Sequence, residues 1–384
     1  MPFCQAPSQS VIDPVTGINT QVINFCPGGS SQLPDAKTPY NQQWGLNVQF
    51  EPVPNLLLEA GYQGSHALRQ PIQWIFNQAN LPAQAGNPNN GVSFRSQCPA
   101  GTYPDQCSPI QDRVPYRNFV ASRFANANML QSVYHGMTLK AERRFANGFQ
   151  VLGSFTWSKA IDQFSEIQNV GGAISSIAQY SHRFDLERGL ANFDQSRRFV
   201  LSWLYELPVG KGKRFLNRGG AANLVLGGWQ TNGIVTLADG TPFTVACSCG
   251  DRSQTGNIFN TQRPNVSGNP LPNGFERTYV KQFDTSVFST PPLGSLGSTG
   301  RNTLRSTGQR AGDISFFKNF RLKEQAQLQF RSEFFNLLSS HFYSPRFPSS
   351  SILATNFGSL LPVGGDHGDL FTPRIIQFGL RLTF

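Results

Sequence analysis

Apolar and polar residues alternate along short segments of this chain, and the alternation recurs in nine places. It begins with Trp44, Leu46, Val48 and Phe50, separated by Gly45, Asn47 and Gln49. A period of two places such residues on one face of a β-strand, with the polar residues between them on the other. Further stripes run through Leu56, Leu58, Ala60 and Tyr62, through Met137, Leu139 and Ala141, and through Phe149, Val151, Gly153, Phe155 and Trp157. Phe199, Leu201, Trp203, Tyr205 and Leu207 form a fifth, and Trp229, Val235 and Leu237 mark a weaker sixth. Ile314, Phe316 and Phe320 define the seventh, and Leu328, Phe330 and Phe334 the eighth. The ninth, Ile376, Phe378, Leu380, Leu382 and Phe384, reaches the final residue. The stretch from Phe275 to Phe288 has room for a tenth.

One such stripe proves little, because at 39% apolar residues a five-position alternation arises by chance in roughly 1% of windows. The connections carry more information. About five residues join the first two strands (Glu51 to Asn55), Ala146-Asn147-Gly148 join the next two, and about five join the seventh to the eighth. These are hairpin lengths. The link from Pro208 to Asn223 is intermediate, with Gly210, Gly212, Gly219 and Gly220 as turn formers. The other links, approximately 65–130, 159–195, 239–311 and 337–372, are long and rich in Gly, Pro, Ser and Asn. Compact soluble domains seldom carry several such loops. A transmembrane β-barrel does, with short turns on one side of the membrane and long loops on the other.

The predicted fold is therefore all-β: an antiparallel transmembrane β-barrel, here a partial one of about nine or ten strands, with long extracellular loops. Residues 1–40 would be an extracellular segment and 41–384 the barrel portion. Trp44, Tyr62, Trp157, Tyr205 and Phe384 fall near strand ends, where interfacial aromatic girdles sit. The alternative is a soluble β-sandwich whose stripes face a core. His135 and Lys318 fall on stripes assigned to lipid and count against those registers unless, as for Lys318, the side chain reaches an interface.

Composition narrows the picture. The 384 residues carry a net charge of +10 but only 14% charged side chains, with 32 Phe, 37 Gly and 26 Pro. No apolar run approaches the ~20 residues of a spanning helix. The arginines are scattered, so the positive charge does not indicate nucleic acid. The first residues, Met1-Pro2-Phe3-Cys4-Gln5, lack the pattern of an export signal.

The six cysteines are Cys4, Cys26, Cys98, Cys107, Cys247 and Cys249. The local pairings Cys4–Cys26 and Cys98–Cys107 would suit an oxidising compartment, although six cysteines allow about 15 connectivities. Zinc is disfavoured, because the close pair is C-x-C with no His nearby. No cofactor or metal motif and no catalytic constellation is present: the five histidines are scattered, and Asp185, Glu187 and Asp194 do not match a calcium loop. A loop at Gly365-Asp366-His367-Gly368-Asp369 reads as a polar turn. On the eighth and ninth strands Arg331, Glu333 and Arg381 lie opposite the apolar stripes and should face the lumen, where they could line a ligand path or a solvated wall.

Two resemblances sharpen this reading. The terminal Gln377-Phe378-Gly379-Leu380-Arg381-Leu382-Thr383-Phe384 resembles the assembly signal of outer-membrane proteins, with Gln377, Gly379, Leu382 and Phe384 at its defining positions. The order Gly297-Ser298-Thr299-Gly300-Arg301-Asn302-Thr303-Leu304-Arg305, then Asp313-Ile314-Ser315-Phe316, then Phe330-Arg331-Ser332-Glu333-Phe334-Phe335-Asn336 resembles the C-terminal barrel of Oar-like TonB-dependent receptors of the Acidobacteria type. Asn192-Phe193-Asp194, Gly227-Gly228-Trp229-Gln230 and Gly240-Thr241-Pro242-Phe243 agree with it. The resemblance implies a bacterial outer-membrane location and contact with outer-membrane lipid and the barrel-assembly machinery. It also implies an external ligand held by the loops, and uptake driven through TonB by an N-terminal plug that these residues do not include. A passive or structural barrel is the competing reading within the same compartment.

Overall fold

The structure, a computed structural model, describes residues 9–12, 19–22, 31–32, 37–81, 113, 115, 124–165, 178–217, 219–257, 262–323, 326–337, 349–360 and 374–384. Nine long strands form one continuous antiparallel sheet in chain order: β1 (Tyr40–Val53), β2 (Leu56–Ile75), β3 (Phe124–Ala146), β4 (Phe149–Asp162), β5 (Arg197–Glu206), β6 (Trp229–Ala238), β7 (Gln309–Lys323), β8 (Ala326–Phe335) and β9 (Ile375–Thr383). Each neighbour in sequence is a neighbour in the sheet. A sandwich would need two packed sheets, and these strands form one. The stretch from Phe275 to Phe288 supplies no tenth wall strand. Phe288–Ser289 instead pairs with Asn265–Val266 within a loop.

Register explains why the stripes work. Val48, Ala60, Leu139, Phe155, Phe199 and Leu237 are successive cross-strand partners from β1 to β6. Val151, Trp203, Gly233, Ile314, Phe334 and Ile376 continue an apolar row from β4 to β9. Directly opposed residues share a face, so all nine stripes lie on one side of the sheet. Much of that side is open among the described residues, Leu46 and Phe378 being 67% exposed and Leu380 71%, and α1 covers the part around Lys318. The sixth stripe is weak because Thr231 and Gly233 interrupt it. At Gly233 a Cβ would come within 2.5 Å of the Trp203 ring, so the indole covers the gap left by the missing side chain.

The turns on one side are tighter than the sequence suggests. Pro54 and Asn55 alone separate β1 from β2, and Asn55 takes a positive φ of 71°. Asn147 and Gly148, at φ 54° and 78°, make the two-residue turn between β3 and β4. Positive φ at both positions is what the strand twist demands, and Asn-Gly supplies it at little cost. Between β5 and β6 a short helix, α1 (Ala221–Leu226), fills the intermediate link. On the other side β2 and β3, with 20 and 23 residues, run beyond the ~10 needed to span a membrane. The first long loop is correspondingly shorter than expected.

Both doubtful residues on the apolar face keep their registers. Lys318 is 3% exposed, and its Nζ donates to the carbonyls of Gly227 and Val225, the latter at 3.0 Å, at the C-terminal end of α1. Rings of Trp229 and Phe320 lie 5.5 and 5.1 Å from the ammonium. The lysine is thus held by protein rather than reaching an interface. His135 Nδ1 hydrogen-bonds the Tyr62 hydroxyl at 2.8 Å, with the Trp44 ring 6.1 Å away, so the imidazole is partnered within the face.

Candidate functional site

The lumen-side candidates share a face, as the alternation requires. Arg331 is paired across the sheet with Phe317 and Gly379, Glu333 with Ser315 and Gln377, and Gln329 with Arg381. Arg331 Nε donates to Gln329 Oε1 at 2.6 Å, and its guanidinium lies 5.3 Å from the Phe317 ring centre. Together with Gln230, Asn232 and Phe317 it lines a recess of about 220 Å³. No ion pair joins Arg331, Glu333 and Arg381 among the described residues. The three are successive positions on a polar wall rather than one converging site. The terminal signal residues lie on β9, with Leu382 opposite Leu328, Gln377 opposite Glu333 and Gly379 opposite Arg331. Phe384 follows the strand, 94% exposed.

The more elaborate construction lies at the long-loop ends of the strands, where segments 76–81, 178–196, 239–257, 262–308 and 349–360 fold together as a cap. Phe243, Val245, Phe283 and Leu304 form its apolar core, with Phe288, Ile352 and Phe357 packed against it. Phe283 is wholly enclosed, edge-on to Phe288 and Phe357 at 5.9 and 5.4 Å. Two-residue strand pairs, Pro242–Phe243 with Leu304–Arg305 and Asn265–Val266 with Phe288–Ser289, tie the segment to itself. A disulfide joins Cys247 to Cys249. The C-x-C pair is therefore a cross-link and not a metal site. Cys4, Cys26, Cys98 and Cys107 lie outside the described residues, as does the Gly365–Asp369 loop.

Three arginines lock this segment to the loop after β4. Arg263 Nη1 donates to Glu187 Oε2 at 2.7 Å, with both side chains at most 5% exposed. Its Nε and Nη2 reach the carbonyls of Thr299 and Leu186 at 2.8 and 3.0 Å. Arg301 pairs with Asp162 and donates to the Glu187 carbonyl at 2.8 Å. Arg305 pairs with Asp194, and its Nη2 reaches Ser196 Oγ at 2.8 Å. Asn302 Nδ2 adds bonds to the Asn192 side chain and the Leu190 carbonyl at 2.7 and 2.6 Å. A buried guanidinium needs its charge paired and its nitrogens hydrogen-bonded, and in Arg263 the charge is paired and each of the three nitrogens has an acceptor.

Glu187 and Asp194, weighed above as calcium ligands, are thus committed to arginines. Asp185 is held by Arg183 at 2.7 Å on the surface, and the arginine keeps its carboxyl below the usual range. Among the described residues no three metal-ligating side chains converge. Beside the first long loop, burial pushes the Tyr180 phenol up, and Arg113 Nη2 donates to the Gln254 carbonyl at 2.5 Å. Gln78 joins three loops by binding Thr255 Oγ1, the Gln179 carbonyl and the Ser181 amide at 2.8, 3.3 and 2.5 Å.

This interlock is the structural element that the sequence pattern does not reveal. The segments Asn192-Phe193-Asp194 and Gly297 to Arg305 were visible only as pieces of a resemblance. Their joint purpose, one loop gripping another more than 100 positions away, emerges only in three dimensions.

Comparison with known proteins gives a family match. The model of the outer membrane beta barrel domain matches residues 2–377. Among solved structures, the chain is similar to FpvA of P. aeruginosa, determined in complex with heterologous pyoverdines, at 9% identity and a TM-score of 0.39, over 90% of this chain and 27% of that one. It is similar also to the outer membrane transporter YddB from Escherichia coli, at 11% identity and a TM-score of 0.39, over 93% of this chain and 34% of that one. The chain thus spans about a quarter to a third of the length of these proteins. No curated protein matches the sequence.

Proposed function

The chain belongs to the outer membrane β-barrel family and resides in the bacterial outer membrane, and from that premise we propose that it forms part of the wall and external cap of a TonB-dependent receptor. In this reading the loops capture an external ligand and the lumen passes it inward. An N-terminal plug, acted on by TonB, supplies the coupling to energy.

The observation that carries the proposal is the pairing of an open wall with a folded cap. β1 and β9 are the two ends of the sheet, each hydrogen-bonded on one edge only among the described residues. Unpaired backbone groups are not tolerated in lipid, so further strands must complete the wall, as in a barrel much larger than nine strands. A wide barrel without a plug is a hole. The cap, for its part, has a core, a disulfide and three buried or half-buried ion pairs, which hold a fixed outer surface of the sort that selects a ligand. The lumen face, with Arg331, Glu333 and Arg381, would offer polar contacts beneath it.

Planar-bilayer recording on the native protein purified from outer membranes tests this. The receptor reading predicts a closed barrel with no steady conductance. A constant ohmic current in the unmodified protein would support the passive-pore alternative instead.

A further inference from the structure

On the lumen face, β4 to β8 carry two recesses that run into one another. The larger, of about 500 Å³, lies over Leu152, Ile234 and Phe335 and has Asp313 in its lining. The smaller, of about 220 Å³, lies nearer the turn between β7 and β8 and is lined by Phe317 and Arg331. Leu204 and Asn232 line both, so the two form one trough along the strands.

The trough is polarised from end to end. Asp313 and Phe317 are four residues apart on β7, and Arg331 is the cross-strand partner of Phe317. By the rise of a strand, carboxylate and guanidinium therefore stand about 13 Å apart along the trough. Glu333, opposite Ser315, flanks the acidic end, and Arg381, opposite Gln329, flanks the basic one. Each charge is fixed in place yet only half used. Asp313 Oδ1 accepts the Asn336 amide at 2.8 Å, while Oδ2 meets no donor among the described residues. Arg331 is held through Nε by Gln329 and lies against the Phe317 ring, and its two terminal nitrogens meet no acceptor among the described residues. A guanidinium oriented in this way offers the fork that fits a carboxylate. Between the two ends, Ile234 and Phe335 are 44% and 39% exposed. The side chains of Gln150, Ser202, Asn232 and Ser315 lie among them and make no hydrogen bond to described residues.

We propose that this trough binds a short peptide with free termini, about four residues long and extended. Its ammonium meets Asp313, its carboxylate meets Arg331, its backbone lies on the row of amides and hydroxyls, and its apolar side chains cover Leu204, Ile234 and Phe335. An extended chain advances about 3.3–3.6 Å per residue, so four residues match the spacing of the charges. A neutral sugar would use neither charge, and a simple anion would use Arg331 alone. The inference deepens the receptor reading and takes from it only that ligand passes through the lumen.

The test is titration calorimetry on the native protein purified in detergent from outer membranes, with the peptide Ala-Leu-Leu-Ala, its N-acetylated form and its C-amidated form as probes. The free peptide should bind, and each blocked form should bind about tenfold more weakly. R331Q should weaken the free peptide by about tenfold and leave the C-amidated form unchanged, and D313N should stand in the same relation to the N-acetylated form. The blocked forms are compared on the unaltered protein, which keeps the test decisive should either variant fail to assemble. Equal affinity of the three peptides for the wild type, or of an assembled R331Q protein and the wild type for the free peptide, would overturn the site. Absence of binding by the free peptide would also overturn it and leave the trough to a segment of the receptor's own plug. A closed barrel that ignores the peptides would lose this inference and keep the receptor reading, whereas an ohmic pore that discriminates among them would do the reverse.

Discussion

In the wall, Leu46, Phe378 and Leu380 stand two-thirds or more exposed, while in the cap Glu187 and Arg263 are almost fully enclosed. The same chain thus turns hydrocarbon outward in one region and charge inward in the other. The contrast follows from the surroundings of each. Lipid replaces a protein core for the wall, whose polar face meets a wet lumen. The cap is surrounded by water and has only a modest core around Phe283, so ion pairs and local hydrogen bonds fix the relation of its loops. A buried ion pair need not add much net stability, but breaking half of it is costly. The cap is therefore specified by pairing and the wall by periodicity.

That difference can be attacked from both sides. The largest effect belongs to the cap: R263A leaves Glu187 charged and buried, at a cost of about 3–5 kcal/mol. Hydrogen exchange should rise in segments 178–190 and 262–305 while β1 to β3 keep their protection. Replacing both partners, R263M with E187L, should restore much of the loss, because no unpaired charge then remains. Equal exchange in R263A and the wild type would remove the interlock from the account.

Next comes the wall. L380R places a guanidinium on the lipid face at a cost of about 2–4 kcal/mol near the midplane, visible as reduced assembly into outer membranes. R381L, one residue along on the opposite face, should assemble nearly normally. Similar defects in the two would mean that the faces have been assigned wrongly. A smaller net loss is expected for K318M, which removes bonds from a charged donor to the carbonyls of Val225 and Gly227, each worth about 1.5–3 kcal/mol, but also relieves the desolvation of a buried ammonium, and should loosen α1 rather than the strands.

The least effect falls on the exposed Arg183–Asp185 pair. Because Arg183 holds the Asp185 carboxyl below its ordinary range, any contribution is present above about pH 4 and fades as the pH falls through the lowered value. D185N should leave the thermal midpoint of the cap unchanged within error at neutral pH.

The wall was legible because its information is local. Phe199, Leu201, Trp203 and Tyr205 declare a strand without knowledge of the rest of the chain, and tight turns such as Asn147-Gly148 set the neighbours. The sixth strand was faint for a physical reason: Gly233 sits under Trp203 of β5, so its apolar contribution comes from another strand. The lengths of β2 and β3 were hidden because, past the membrane, their outer ends no longer alternate against lipid. Ile72, Ile75, Ala125 and Ala127 are buried there. The cap was opaque because Arg301 finds Asp162 across 139 positions and Arg305 finds Asp194 across 111. A scattered set of arginines and carboxylates offers no periodicity that would reveal such partners.

The central claim is that β1 and β9 are completed by strands beyond these nine. The most direct measurement is the protein mass of the native detergent-extracted particle from outer membranes, identified through the peptide ending at Phe384. The account predicts a mass well above 42.3 kDa, from a longer chain or from several chains. A stable particle holding a single 42.3 kDa chain would contradict it, for nine strands would then have closed on themselves.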